Sequence, residues 1–276
     1  MTKQLPPEHM TKHLQCNPPK TDNNADSRFS FDNVDVIFRG IEIYGNTLDE
    51  ALNNAITQAG DNGYVINAPT LIAAKLITHP DSCLWERSFN VRSAEFYGID
   101  VKGLYGNAGE PVLVIVHGEG LNPERLKGFC SAKPFTYINQ NEFNVLLEKH
   151  TLPNGKLIDV LTLNELMADP TQPRIYDCYG VVINNGQIKN SPSKVSQSVE
   201  DVVTPLNIAR SGGLHNCRDY FTKIAETTSV FIENPYENMS LPIIPEVRQL
   251  EIAKDGLVKI VSSAGYGYIV LEGKHD

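Results

Sequence analysis

The sequence predicts an α+β chain, with a central mixed sheet flanked by helices and closed by a C-terminal antiparallel meander. Three observations carry that expectation. Residues 112–116 are Val-Leu-Val-Ile-Val, apolar on both alternating faces, the pattern of a strand covered on both sides. Short strand-like runs alternate with segments that open on Thr or Asn caps and then repeat apolar residues at helical spacing. Beyond Gln249, three strand-like runs are joined through Asp255-Gly256 and Ala264-Gly265, which argues against a pure doubly wound fold.

Residues 1–33 read as a disordered tail. They hold Pro6, Pro7, Pro18 and Pro19, then a polar stretch at 20–27, with few aliphatic side chains to join a core. Residues 34–276 read as a single mixed domain with a sub-domain break near 234–248, where three prolines cluster. Alternation at 34–38 and the run 41–44 predict a bent strand or a strand pair. Thr47 with Glu50 forms a capping box, and the helix it opens carries Leu48, Leu52, Ala55, Ile56 and Ala59 on one face and stops at Gly60. A short strand at 63–66 precedes a second helix, with Asn67 upstream and Pro69 in the first turn.

The middle repeats this scheme. Strands are expected at 111–116, 135–138, 157–161 and 174–183. Asn139 with Glu142, and Thr162 with Glu165, start two further helices. Residues 184–198 read as a polar loop, 217–225 as a helix and 228–232 as a strand. The closing strands are placed at 250–253, 257–262 and 266–271.

Composition narrows the function classes. The 276 residues carry a formal net charge of −9 and no Lys/Arg-rich run, which disfavours nucleic acid as a partner. The longest apolar runs fall far short of the ~20 residues that a membrane span needs, and residues 1–19 have no signal-peptide core, so the expected setting is soluble and cytoplasmic. Five scattered cysteines without a CxxC pair read as reduced thiols. In that setting the sequon at Asn238 has no glycosylation meaning. A homo-oligomer is compatible with the sequence, with the meander as its face.

Four segments could carry chemistry. The first is His117, Gly118, Glu119 and Gly120, directly after the buried strand. There the glycines would let backbone amides approach a ligand, and His117 and Glu119 could exchange protons near neutral pH. In outline it resembles the His-Gly-Gly-Gly oxyanion loop of α/β-hydrolase esterases, but the Gly-x-Ser-x-Gly of that fold is absent. The second is Arg210, Ser211, Gly212, Gly213, His215 and Cys217, where glycine turns, an arginine and a helix start would cradle a small anion. The helix dipole would there favour a Cys217 thiolate close to His215.

The third segment is Asp177, a carboxylate that would need a partner inside a buried strand. The fourth is His9, His13 and Cys16, zinc-type residues at helical spacing, read as incidental members of the tail, so that no metal site is assigned. Trp85 reads as a core or hinge anchor. No cofactor can be named, since no dinucleotide or P-loop signature is present. Two functions follow. One is a binding or accessory protein with a small-anion site. The other is an enzyme of hydrolase or proton-transfer type, acting on a small polar or anionic metabolite through His117. The first is preferred, and which holds turns on whether the His117 and Arg210 segments meet.

Overall fold

The computed structural model describes residues 27–33, 36–61, 63–78, 82–129, 133–168, 178–226, 228–239, 242–253, 258–260 and 266–271. Strands β1 (Ser27–Asn33) and β2 (Val36–Gly45) lead into helix α1 (Leu48–Ala59), and β3 (Tyr64–Val65) into α2 (Ala68–Ile77) and α3 (Cys83–Glu86). Two long strands follow, β4 (Phe89–Asp100) and β5 (Glu110–His117). Then come α4 (Pro123–Leu126), β6 (Phe135–Tyr137), α5 (Gln140–Lys149), β7 (Asp159–Thr162) and α6 (Leu163–Ala168). The second half runs β8 (Tyr179–Asn184), α7 (Asn185–Lys189), β9 (Lys194–Ser196), α8 (Val199–Val202), α9 (Pro205–Arg210) and α10 (Leu214–Ala225). Strands β10 (Val230–Ile232), β11 (Glu246–Ile252), β12 (Val258–Ile260) and β13 (Tyr266–Leu271) complete it.

The largest sheet has the order β12-β11-β4-β5-β8-β7, with β6 also on β11. Among the described strands only β7 and β8 run parallel, so the sheet is mixed. A smaller antiparallel sheet has the order β1-β2-β13-β3, and β9 pairs with β10. The architecture is α+β. Of the closing strands, β11 and β12 pair antiparallel, while β13 crosses to the smaller sheet and lies between β2 and β3.

Side-chain alternation along β5 explains why the large sheet needs cover on both faces. Leu113 and Ile115 enter one core with residues of α2, α6, α7, α9 and α10. Val112, Val114 and Val116 enter the other with α1, α4 and α5. Local capping agrees with the sequence at most helix starts. The Thr47, Asn67 and Asn139 side chains each accept from the third residue of their helix, and Asn139 with Glu142 closes a full capping box.

Two expectations need correction. Residues 27–33, assigned to the tail, form β1, because a register with β2 satisfies their backbone groups and Phe29 and Phe31 stand at strand spacing. The rest of that tail, with His9, His13 and Cys16, lies outside the described residues. The polar loop expected at 184–198 contains α7 and β9. Asn184 and Gln187 form a capping box there that the density of polar residues hides. The start of the stretch 234–248 is tied inward. Asn234 donates to the carbonyls of Ile188 (2.9 Å) and Ser191 (2.8 Å), and Tyr236 is buried.

Candidate functional site

The two Gly-rich turns do meet. His117 ends β5 with its imidazole pointing into the first core, where it is completely buried. Its Nε2 lies 2.9 Å from the carbonyl of Ala209, the residue before Arg210, and its Nδ1 lies 3.0 Å from Ser93 Oγ. A carbonyl can only accept, so Nε2 carries the proton and Nδ1 accepts from the Ser93 hydroxyl. Ser93 Oγ in turn accepts from the Ala68 amide at the start of α2 (3.0 Å). The relay from Ala68 through Ser93 and His117 to Ala209 thus joins α2, β4, β5 and α9. Burial pushes the His117 pKa down to about 4, against a smaller opposing effect of the bond to Ala209. A neutral imidazole with both nitrogens occupied has no lone pair for a substrate proton. The acid/base role expected of His117 is therefore not what the geometry supports; the residue is a structural link.

Glu119, its expected partner, is half-buried, with its carboxylate 2.8 Å from Lys156 Nζ. Gly118 has a left-handed φ of +104°, and Gly120 is packed against Val116, Ala94 and Phe96. These glycines shape the turn at close quarters with protein, not around an open cleft.

Arg210 is turned away from the turn that it was expected to serve. Its Nε donates to Glu95 Oε1 (2.7 Å) and its Nη2 to Glu95 Oε2 (3.1 Å), a fork on a carboxylate with both side chains fully buried. Nη1 donates to the Glu233 carbonyl (2.7 Å), and the Tyr236 hydroxyl donates to Glu95 Oε2 (2.9 Å). Burial alone would lower the Arg210 pKa, but Glu95 more than offsets this and the net displacement is upward. Tyr236, buried beside the same carboxylate, is pushed well above its usual value. The cation proposed for an anion cradle is already neutralised.

The remaining candidates separate. Ser211 and Gly212 are buried, Gly213 is half-buried and His215 is exposed on α10. Cys217 is completely buried in the first core, and burial drives its thiol pKa up to about 12. That is opposite to the helix-dipole expectation, because desolvation of a thiolate outweighs the field of one helix end. Asp177 lies outside the described residues. Trp85 stacks on Tyr220 at 5.7 Å, an anchoring role. Among the described residues, no group of three His, Cys, Asp or Glu is placed to hold a metal ion, and no helix is long and apolar enough to cross a membrane.

Sequence reading missed β4 and with it Ser93, Glu95 and Arg92. The signal was present: in 89–97 the odd positions Phe89, Val91, Ser93, Glu95 and Tyr97 face the first core. A glutamate inside such an alternation requires a buried partner.

The architecture is similar to the C-type lectin fold. A solved structure described as showing accommodation of massive sequence variation in Nanoarchaeota by the C-type lectin fold matches with a TM-score of 0.58. The match has 21% identity and covers 85% of this chain and 97% of that one. No protein-family model and no curated protein matches the chain.

Proposed function

We propose that this chain is a non-catalytic binding protein that uses the C-type lectin fold as a rigid support for ligand-binding surface. The carrying observation is the fate of the strongest chemical candidates. His117, Glu95, Arg210 and Cys217 are all sealed in the interior, and the first three spend their hydrogen-bonding capacity on one another's elements. Such networks fix a backbone; they do not turn over substrate. The neighbouring solved structure lends support, since it is described as a C-type lectin fold that accommodates massive sequence variation, a property that suits a scaffold. Unbridged thiols at Cys178 and Cys217 fit a reducing, cytoplasmic setting.

The test is a turnover screen of the full chain against carboxylic ester, phosphate ester and amide substrates, run beside a His117→Gln variant shown to be folded. The expected result is no turnover by either protein. Turnover by the wild type that disappears in folded His117→Gln would overturn the binding reading and restore the enzyme.

A further inference from the structure

On the face of the large sheet opposite His117, the even positions of β4 enter the second core with Ala94 and Phe96, and Arg92 belongs to this row. Its amide donates to the Ile66 carbonyl (2.8 Å), and the Ile66 amide donates to the Ile269 carbonyl (2.9 Å). The segment after β3 therefore runs between β4 and β13. Val270 pairs with Val65, so the same register brings Tyr268 opposite Asn67. Arg92, Asn67 and Tyr268 thus gather where α2 begins, beside the loop that contains Gly118, whose amide donates to the Arg92 carbonyl (2.6 Å).

What sets this cluster apart is unspent donor capacity. Arg92 Nε, Asn67 Nδ2 and Tyr268 Oη are buried atoms with no hydrogen-bond partner, and Asn67 and Tyr268 are completely buried residues. Asn67 Oδ1 is already taken by the amide and hydroxyl of Thr70, so only its N–H donors remain. Among the described residues no carboxylate pairs with Arg92. The acid of the adjacent loop, Glu119, is held by Lys156. The Arg210 guanidinium, by contrast, has its counter-charge within the protein. A partly buried cation without one is costly, and donors without acceptors define the missing partner as an anion. The field of Arg92 lowers the pKa of Tyr64, Tyr268 and Cys178 against the larger upward push of burial, so its charge is felt across the cluster. Arg92 is itself partly exposed.

We propose that this cluster is a binding site for a small oxyanion, the carboxylate or phosphate group of a small molecule. Arg92 supplies the charge and Asn67 Nδ2 and Tyr268 Oη the orienting hydrogen bonds. The inference rests on the binding reading and names the chemistry of its ligand. It places the anion on the opposite face of the sheet from the buried Glu95–Arg210 pair.

The test is thermal unfolding of the full chain at one pH and matched ionic strength in sodium phosphate, sodium acetate or sodium chloride, for wild type, Arg92→Gln and Tyr268→Phe. A Tm rise with phosphate or acetate but not with chloride is expected for the wild type. It should be abolished in Arg92→Gln and reduced in Tyr268→Phe; which of the two anions acts identifies the ligand group. Equal Tm in all three salts, or an undiminished rise in Arg92→Gln, overturns the proposal. Should Arg92→Gln fail to fold, calorimetric titration of Tyr268→Phe with the active anion decides, with affinity weaker by about tenfold expected and unchanged affinity overturning the site. Those failures would leave the turnover screen, and the scaffold reading that it tests, untouched.

Discussion

His117 Nε2 and the carbonyl of Ala209, 92 positions apart in the chain, lie 2.9 Å apart inside the protein. This bond makes the two Gly-rich turns one structural unit. Strand β5 delivers the imidazole, α9 delivers the carbonyl, and the next residue, Arg210, clamps Glu95 of β4. Strand β4 and helix α9 are therefore linked twice, by the neutral relay and by an ion pair.

The relay makes stability depend on pH with a definite sign. Burial depresses the His117 pKa from 6.5 in the unfolded chain to about 4 in the folded one. Between those values the unfolded chain binds a proton and the folded chain does not, so stability is full above pH 6.5 and lost as pH falls toward 4. The loss from this group is about 3 kcal/mol. Urea unfolding of wild type and His117→Gln at pH 7.5 and pH 4.5 checks it. The variant is expected to be less stable at pH 7.5 and to lose less on acidification. Parallel losses would assign the pH dependence to other groups.

The buried pair predicts non-additive substitutions. Removing Arg210 alone, as Arg210→Met, leaves the Glu95 charge uncompensated and is expected to cost about 3–5 kcal/mol. Glu95→Gln strands Arg210 in the same way. The double variant should be less damaged than the sum of the two, because no lone charge remains. Tyr236→Phe, which removes one bond to Glu95, should cost about 1–2 kcal/mol. A double-mutant cycle by denaturant titration measures the coupling, and simple additivity would show that the pair contributes no mutual stabilisation.

Much of the fold was legible because local chemistry announced it. Thr47 with Glu50 and Asn139 with Glu142 marked helix starts that the structure keeps, and the two-faced apolar run in β5 marked a strand buried on both sides. What escaped reading were elements whose local pattern is overridden by distant partners. Strand β4 carries Ser93 and Glu95, polar residues that a strand tolerates only because α2 and α9 answer them. The sequence drew attention to the two turns, but the direction of their side chains was not legible. Whether a histidine faces a cleft or a helix carbonyl 92 positions away is decided by packing that no local window contains.

Cys217 separates the two readings of the α10 start by reactivity. With its side chain fully buried and its pKa near 12, the thiol should resist alkylation at neutral pH in the folded protein. Cys178, partly exposed, should react sooner, although burial raises its pKa as well. Iodoacetamide labelling followed by peptide mapping, in buffer and in guanidinium chloride, checks this. Modification of Cys217 is expected only under denaturing conditions, and rapid labelling in buffer would show that α10 opens.

The turn between α9 and α10 distinguishes a glycine needed for conformation from one needed for space as well. Gly212 and Gly213 have φ values of +74° and +145°, a region that an L side chain rarely enters, so each alanine substitution carries a backbone cost of about 1 kcal/mol or more. At Gly213 an added Cβ meets nothing within 4 Å. At Gly212 it would lie 2.6 Å from Pro69 Cγ and 2.9 Å from the Tyr179 hydroxyl, against a ring fixed in the first turn of α2. Gly212→Ala should therefore cost about 3 kcal/mol, clearly more than Gly213→Ala. Because this turn carries Ser211 beside the Arg210 clamp, the larger loss should come with weaker protection of the α10 amides in hydrogen exchange. Equal stabilities of the two variants would mean that α2 and α10 slide apart freely, and that the packing of Pro69 on the turn does not hold them.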